Sequence, residues 1–222
     1  MSEAREVRRE LVYYARKIMA EGLVAGPGGN LSARAKDVMY ISPSGYSFEE
    51  AEEDDYVGVD IPSGRIVETD KRPSSEVLMH LACYRKRPDI RALVHTHPPI
   101  TVGLISAGVD LRPIYPDFYV FLGDPIPHLD YITVTTPELA KAVEEVIGVA
   151  NAVLLRNHGA LTVGATLKQA YYRTQTVEEG AKILFTALQA GRPRYLSRGE
   201  IEALKHLGSE QYRQQLLEGM QR

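Results

Sequence analysis

Cysteine is nearly absent from the 222 residues: Cys83 stands alone, so no intrachain disulfide framework exists and a cytoplasmic setting is the default expectation. No run approaches the ~18 consecutive apolar residues of a membrane helix. The leading segment, MSEAREVRRELVYYARKIMAEG, mixes both signs of charge throughout and reads as neither a signal peptide nor a transit peptide. A basic excess is missing too. The net charge is −3, which argues against binding along a nucleic acid, although one small phosphate held by backbone amides stays compatible with it. Internal repeats, low-complexity tracts and linkers are also lacking, and the expectation is one domain spanning 1–222. What is present, 44% hydrophobic and 25% charged residues, is the balance of a globular chain with a substantial core.

Hydrophobic spacing predicts a helix from about Arg5 to Glu21, with Val7, Leu11, Tyr14, Ala15 and Ile18 on one face and Gly22 as its stop. AGPGGNLSAR then breaks the helix ahead of strands near 31–34 and 38–42, and Ser42-Pro-Ser-Gly45 reads as a turn. YVGVDI and RIVE read as a hairpin around Pro62-Ser63-Gly64. A helix follows KRPSSE, with Ser74 or Ser75 as cap, an apolar stripe of Val77, Leu78, Leu81 and Ala82, and Pro88 as its end. DIRALVHTH predicts a strand that stops at Pro98-Pro99, followed by a short helix to Gly108. YITVT predicts another strand, and Thr136-Pro137-Glu138 a helix start. NAVLLRNHGALTVG reads as strand, turn, strand; Thr166 opens a long helix to about Ala190, and Ser197 to Glu200 resembles a capping box. Helices alternate with strands that arrive in hairpins. The predicted fold is therefore a layered α/β domain whose mixed, mainly antiparallel central sheet is covered by helices.

Histidines carry the first functional signal. His95-Thr-His97 ends an apolar strand, and side chains at i and i+2 leave a strand on one face, so the two rings can converge. Alone, the pair reads as two partly exposed histidines at a strand end. His158 adds a third, in the Arg156-Asn-His-Gly159 turn between two apolar strands, where the glycine is expected to permit an unusual backbone. Three neutral imidazoles leave a fourth position open, the arrangement of catalytic rather than structural zinc. His80, four residues after Glu76 on the same helical face, is a partner of the site, an alternative metal ligand, or a histidine satisfied at a helix–sheet interface. Glu76 itself could be a helix-terminus acid. Yet Gly29-Asn30, Ser44-Gly45 and Ser74-Ser75 are small, donor-rich turns that together could bind a phosphate without positive charge.

KRPSSEVLMHLACYRKRPDIRALVHTHPP, with GGNLS and SPSG before it and RNHGAL after it, closely resembles the class II aldolases of the L-fuculose-1-phosphate aldolase group. Sugar-phosphate 4-epimerases, methylthioribulose-1-phosphate dehydratases and 3-oxo-tetronate-phosphate decarboxylases share these motifs, as does the metal-free binding domain of adducin. The likeness runs from about Ala15 to Leu204. It implies a cyclic homotetramer with active sites between subunits, and one zinc or other divalent cation per chain on His95, His97 and His158. It further implies Glu76 as the acid/base group, and Gly29, Asn30, Ser44, Gly45, Ser74 and Ser75 around the phosphate of a sugar substrate. For that role the Glu76 pKa should be raised toward neutrality by partial burial, a shift the metal's charge opposes. Tyr119, in PDFYVFLG, resembles a proton-donating tyrosine contributed by a neighbouring subunit, and Tyr212 a tyrosine that closes over the site. Retention of the three histidines and Glu76 favours the enzyme over the adducin-like module. A Schiff-base aldolase would need an activated lysine, for which Lys71 is the nearest candidate.

Overall fold

Leu11, Ala15 and Ile18 recur at helical spacing, and this stripe is the buried side of α1 (Glu3–Ala20). In the computed structural model, which describes residues 2–219, the stripe lies on a sheet of eight strands. These are β1 (Asn30–Ala35), β2 (Val38–Ile41), β3 (Val57–Asp60), β4 (Ile66–Glu68), β5 (Ala92–Thr96), β6 (His128–Leu129), β7 (Ala152–Leu155) and β8 (Gly159–Gly164). Their order is β4-β3-β2-β1-β5-β8-β7-β6. Every pairing is antiparallel except β6 with β7, so the sheet is mixed and mainly antiparallel, as expected.

Strand alternation divides the core between two faces. In β5, Leu93 faces α2 (Val77–Lys86) and α5 (Pro137–Ile147), while Ala92 and Val94 pack under α1 and α6 (Leu167–Ala190). Farther along that second face, Ala152, Leu154 and Ala160 meet α3 (Pro99–Ser106), α4 (Pro116–Leu122) and α6. Each fully buried Leu, Ile or Val contributes about 1.5–3 kcal/mol relative to exposure. Two shorter helices, α7 (Arg198–Lys205) and α8 (Gly208–Gly219), follow α6. Helix starts follow their capping chemistry: Thr136 and Thr166 accept from Leu139 and Gln169 amides, and Ser197 with Glu200 forms a capping box. Among the described residues, no helix is long and apolar enough to cross a membrane.

Two expectations fail for physical reasons, and one helix arises where none was expected. YITVT is not a strand; the sheet takes His128–Leu129 instead, and the chain then leaves the edge, with Tyr131 and Val134 exposed and Thr135 at φ 68°. PDFYVFLG, to which the spacing assigned no element, forms α4, because Phe118, Val120 and Leu122 are buried and Pro116 sits where a helix start tolerates it. On α2 the cap position falls to Glu76 rather than Ser74 or Ser75, and Leu78 is 39% exposed. The buried face is Met79, His80, Leu81, Cys83 and Tyr84 instead, since the sheet beneath offers polar partners to the histidine and the tyrosine.

Candidate active site

The histidines meet because β5 and the β7–β8 turn reach the same end of the sheet. His95 is in β5, and His97 follows two residues on. β8 pairs with β5 through Thr96 and Ala160, which brings the His158 turn alongside. His95 Nε2 lies 3.1 Å from His97 Nε2 and 3.2 Å from His158 Nε2, and among the described residues these three form a group able to hold a metal ion. Ligand nitrogens around a tetrahedral ion with bonds of ~2.0–2.1 Å stand about 3.3 Å apart, so the spacing fits. His95 Nδ1–H donates to the Ala160 carbonyl at 3.1 Å. A carbonyl only accepts, so the neutral ring keeps a bare lone pair on Nε2, the form a ligand needs. Burial, together with His95 and His158, brings the His97 pKa down to about 4, which leaves that ring neutral near pH 7.

Glu76 closes the remaining side. Its Oε2 lies 3.1 Å from His95 Nε2 and its Oε1 3.2 Å from His158 Nε2. Carboxylate oxygens facing bare nitrogen lone pairs repel unless a proton or cation lies between them. Glu76 Oε1 and His158 Nδ1 are buried without a hydrogen-bond partner, and these orphaned atoms, with the donor set, fit a cation held among the four side chains. The expectation of a Glu76 pKa near neutrality is overturned. Burial does raise it, but the adjoining His95 and His158 rings and the Asn30 amide outweigh that effect and hold the carboxyl well below the usual carboxylate range.

Gly159 is required for a different reason than expected. The left-handed residue of the turn is Asn157, at φ 57°. A Cβ on Gly159 would collide with the Thr96 carbonyl and come within 2.8 Å of His97 Cδ2 and 3.0 Å of His95 Cε1. Space, not backbone freedom, is what the glycine supplies there.

The three small turns gather at this same end. Asn30 opens β1 opposite His95. The Ser44 amide donates to the Arg72 carbonyl, the Ser74 amide to the Ser42 carbonyl, and Pro43 bridges Pro73, so the Ser44-Gly45 and Ser74-Ser75 turns are pinned together. Those two amides are thereby committed within the chain. The exposed Ser44 and Ser75 hydroxyls make no hydrogen bond to a described residue and stay open to a ligand. Gly29, at φ 73°, sits where a Cβ would be 2.8 Å from the His95 carbonyl.

Residues 9–185 match the family model described as the class II aldolase and adducin N-terminal domain. The chain belongs to the class II aldolase and adducin family. A 5-deoxy-D-ribulose 1-phosphate aldolase of Bacillus thuringiensis serovar kurstaki is 37% identical over 89% of this chain and 92% of its own. An L-fuculose phosphate aldolase of Methanococcus vannielii is 36% identical over 72% of this chain and 85% of its own. Among solved structures, an L-fuculose 1-phosphate aldolase superposes with a TM-score of 0.86 at 34% identity, covering 96% of this chain and 98% of that one. The chain is an enzyme of the aldolase kind, a family of metal-dependent carbon–carbon lyases.

Not every residue expected at the site of this class II aldolase is brought there by its own chain. Tyr119 lines a cavity of about 250 Å³ with Asn151, Lys205 and Gln211. Asn151 precedes β7 at the end opposite the His158 turn, so Tyr119 and the histidines of one chain lie at opposite ends of that strand. Tyr212 is 61% exposed on α8. Lys71 is paired with Asp55, and that hydrogen bond raises its pKa, which keeps it protonated and unsuited to imine formation.

Two site-adjacent residues, Ser32 and Tyr84, escaped the sequence reading. Asn30 Nδ2 donates to Glu76 Oε2 at 2.9 Å, and Asn30 Oδ1 lies 2.6 Å from His80 Nε2. His80 Nδ1 lies 2.7 Å from Ser32 Oγ, which is 3.0 Å from the Tyr84 hydroxyl. The signal was present as two periods. Glu76, His80 and Tyr84 recur every fourth residue, a rise of ~6 Å on a helix, while Asn30 and Ser32 recur every second, ~6.6 Å on a strand. A helix stripe and a strand face of nearly equal repeat can pair rung by rung.

Proposed function

We propose that this chain is a zinc-dependent lyase that cleaves a ketose 1-phosphate such as L-fuculose 1-phosphate into dihydroxyacetone phosphate and an aldehyde. The observation that carries the reading is the meeting of three imidazole Nε2 atoms with the Glu76 carboxylate beside two donor-rich turns. His95, His97 and His158 would hold the ion, and an all-imidazole set with one open position suits zinc. Bound there, the ion supplies Lewis acidity that stabilises negative charge developing on the ketose oxygens. Glu76 moves the proton at the carbon released from the cleaved bond: its ionised form removes that proton in the condensation direction, and its acid form returns it in cleavage. Ser44, Gly45, Ser74 and Ser75, with Gly29 and Asn30, receive the phosphate.

Tyr119 takes the proton of the hydroxyl that becomes the aldehyde, and it must then come from a second copy of the chain, because its own fold places it at the far end of β7. That requirement supports an oligomer with shared sites, for which we take the homotetramer that the resemblance implies, in the cytoplasm. The relatives' printed names favour aldol cleavage over epimerisation, dehydration or decarboxylation on the same scaffold. Product analysis on a panel of phosphorylated ketoses and keto acids tests the reading, with dihydroxyacetone phosphate as the expected product. EDTA should stop turnover and borohydride should not; the reverse pattern refutes it. Metal analysis should find about one zinc per chain, lost in His95→Ala and His158→Ala. Full metal occupancy in both variants refutes the ligand set.

A further inference from the structure

We propose that His80 is a positioning residue for Glu76, acting through Asn30, an inference that rests on Glu76 being the proton-transferring group. The protons of the buried chain can be assigned from donor chemistry alone. An ionised carboxylate only accepts, so Asn30 turns its Nδ2–H toward Glu76 Oε2, and its orientation is settled. Asn30 Oδ1 must then accept from His80 Nε2–H. In a neutral ring His80 Nδ1 is bare and accepts from the Ser32 hydroxyl, whose oxygen lies 3.0 Å from the Tyr84 hydroxyl; Tyr84 O–H also has the Arg91 carbonyl at 3.5 Å. From Ser32 through His80 to Asn30, each donor points toward Glu76. His80 and Ser32 are fully buried and Tyr84 is 1% exposed, so water cannot substitute for a missing link. Burial also brings the His80 pKa down to about 3, in keeping with a neutral ring.

The consequence falls on the carboxylate. Glu76 stands at the cap position of α2 with no side-chain cap bond, so nothing on its own helix stops its carboxylate from rotating. Asn30 anchors Oε2 and leaves Oε1, which has no hydrogen-bond partner, facing His158 Nε2. Were the Asn30 amide to flip, its carbonyl would oppose the carboxylate and its NH₂ would oppose His80 Nε2–H. The His80 tautomer therefore holds Asn30, and Asn30 presents Oε1 as the oxygen free to carry a proton.

Neutron diffraction on deuterated crystals, with and without zinc, reads the assignment directly and needs no variant. A single deuteron on His80 Nε2 is expected; a deuteron on Nδ1 overturns the proposal. Kinetics supply the second arm. His80→Gln places an amide N–H where the imidazole Nε2–H stands and should stay within about tenfold of wild-type kcat, whereas His80→Leu removes both links and should lose roughly 10–100-fold in kcat. KM for the ketose phosphate and zinc content should be unchanged in both. Equal kcat in wild type and His80→Leu, or equal losses in the Gln and Leu variants, overturns it. The two readings separate on solvent-deuterium exchange into dihydroxyacetone phosphate. Exchange lost in Glu76→Gln but intact in His80→Leu overturns only the role of His80; exchange intact in Glu76→Gln overturns the role of Glu76 itself.

Discussion

Acidification should destabilise this protein through His80 in a way that a single substitution removes. In the fold the ring is fully buried and its pKa falls from the ordinary 6.5 to about 3, by desolvation first and by the closeness of His95 second. A base whose folded pKa is depressed is favoured neutral in the native state. Between the two values the unfolded chain binds more protons, so stability is fully present above pH 6.5 and is lost as pH falls toward 3. Each unit of pH within that window changes stability by about 1.4 kcal/mol, and the step from pH 7 to pH 5 removes about 2 kcal/mol through this one group. His80→Gln cannot titrate. Guanidinium unfolding of metal-free wild type and His80→Gln, at one protein concentration and at both pH values, measures the difference. His97 and His128 also have lowered pKa values, but they contribute equally to both proteins and cancel. Wild type should lose about 2 kcal/mol more than the variant. Equal losses would mean that His80 is solvated or charged in the native state, and the buried neutral ring would be refuted.

Glu76→Gln keeps the size of the side chain and its contact with Asn30 while removing the acid/base function. Its kcat and its solvent-deuterium exchange into dihydroxyacetone phosphate should fall by roughly 10²–10⁴-fold with zinc retained; exchange at the wild-type rate would leave Tyr119 as the next candidate. Gly159→Ala should weaken metal binding because its Cβ collides with the Thr96 carbonyl and crowds His97 and His95. Zinc titration checks this against circular dichroism, and wild-type affinity in a folded variant would refute the steric account.

Much of this protein was legible in one dimension. The α1 stripe, the Thr136, Thr166 and Ser197 caps and the β7–β8 hairpin follow from local rules, because spacing and capping chemistry act within a few residues of chain. The three histidines were legible as well: an i, i+2 pair on a strand and a turn between two strands leave few ways to point. What local rules could not decide was which face of a helix the sheet would demand. The Leu78 face of α2 looked apolar enough to be buried, yet His80 and Tyr84 went inward because Ser32 and Asn30, more than 45 residues away in sequence, satisfied them. YITVT failed as a strand for the complementary reason: past the sheet edge only Ile132 packs against the core, while Tyr131 and Val134 find nothing to cover. The sign of the Glu76 pKa shift likewise belongs to the tertiary structure. Burial and charge oppose each other at that carboxyl, and only the folded distances to His95, His158 and Asn30 decide which prevails.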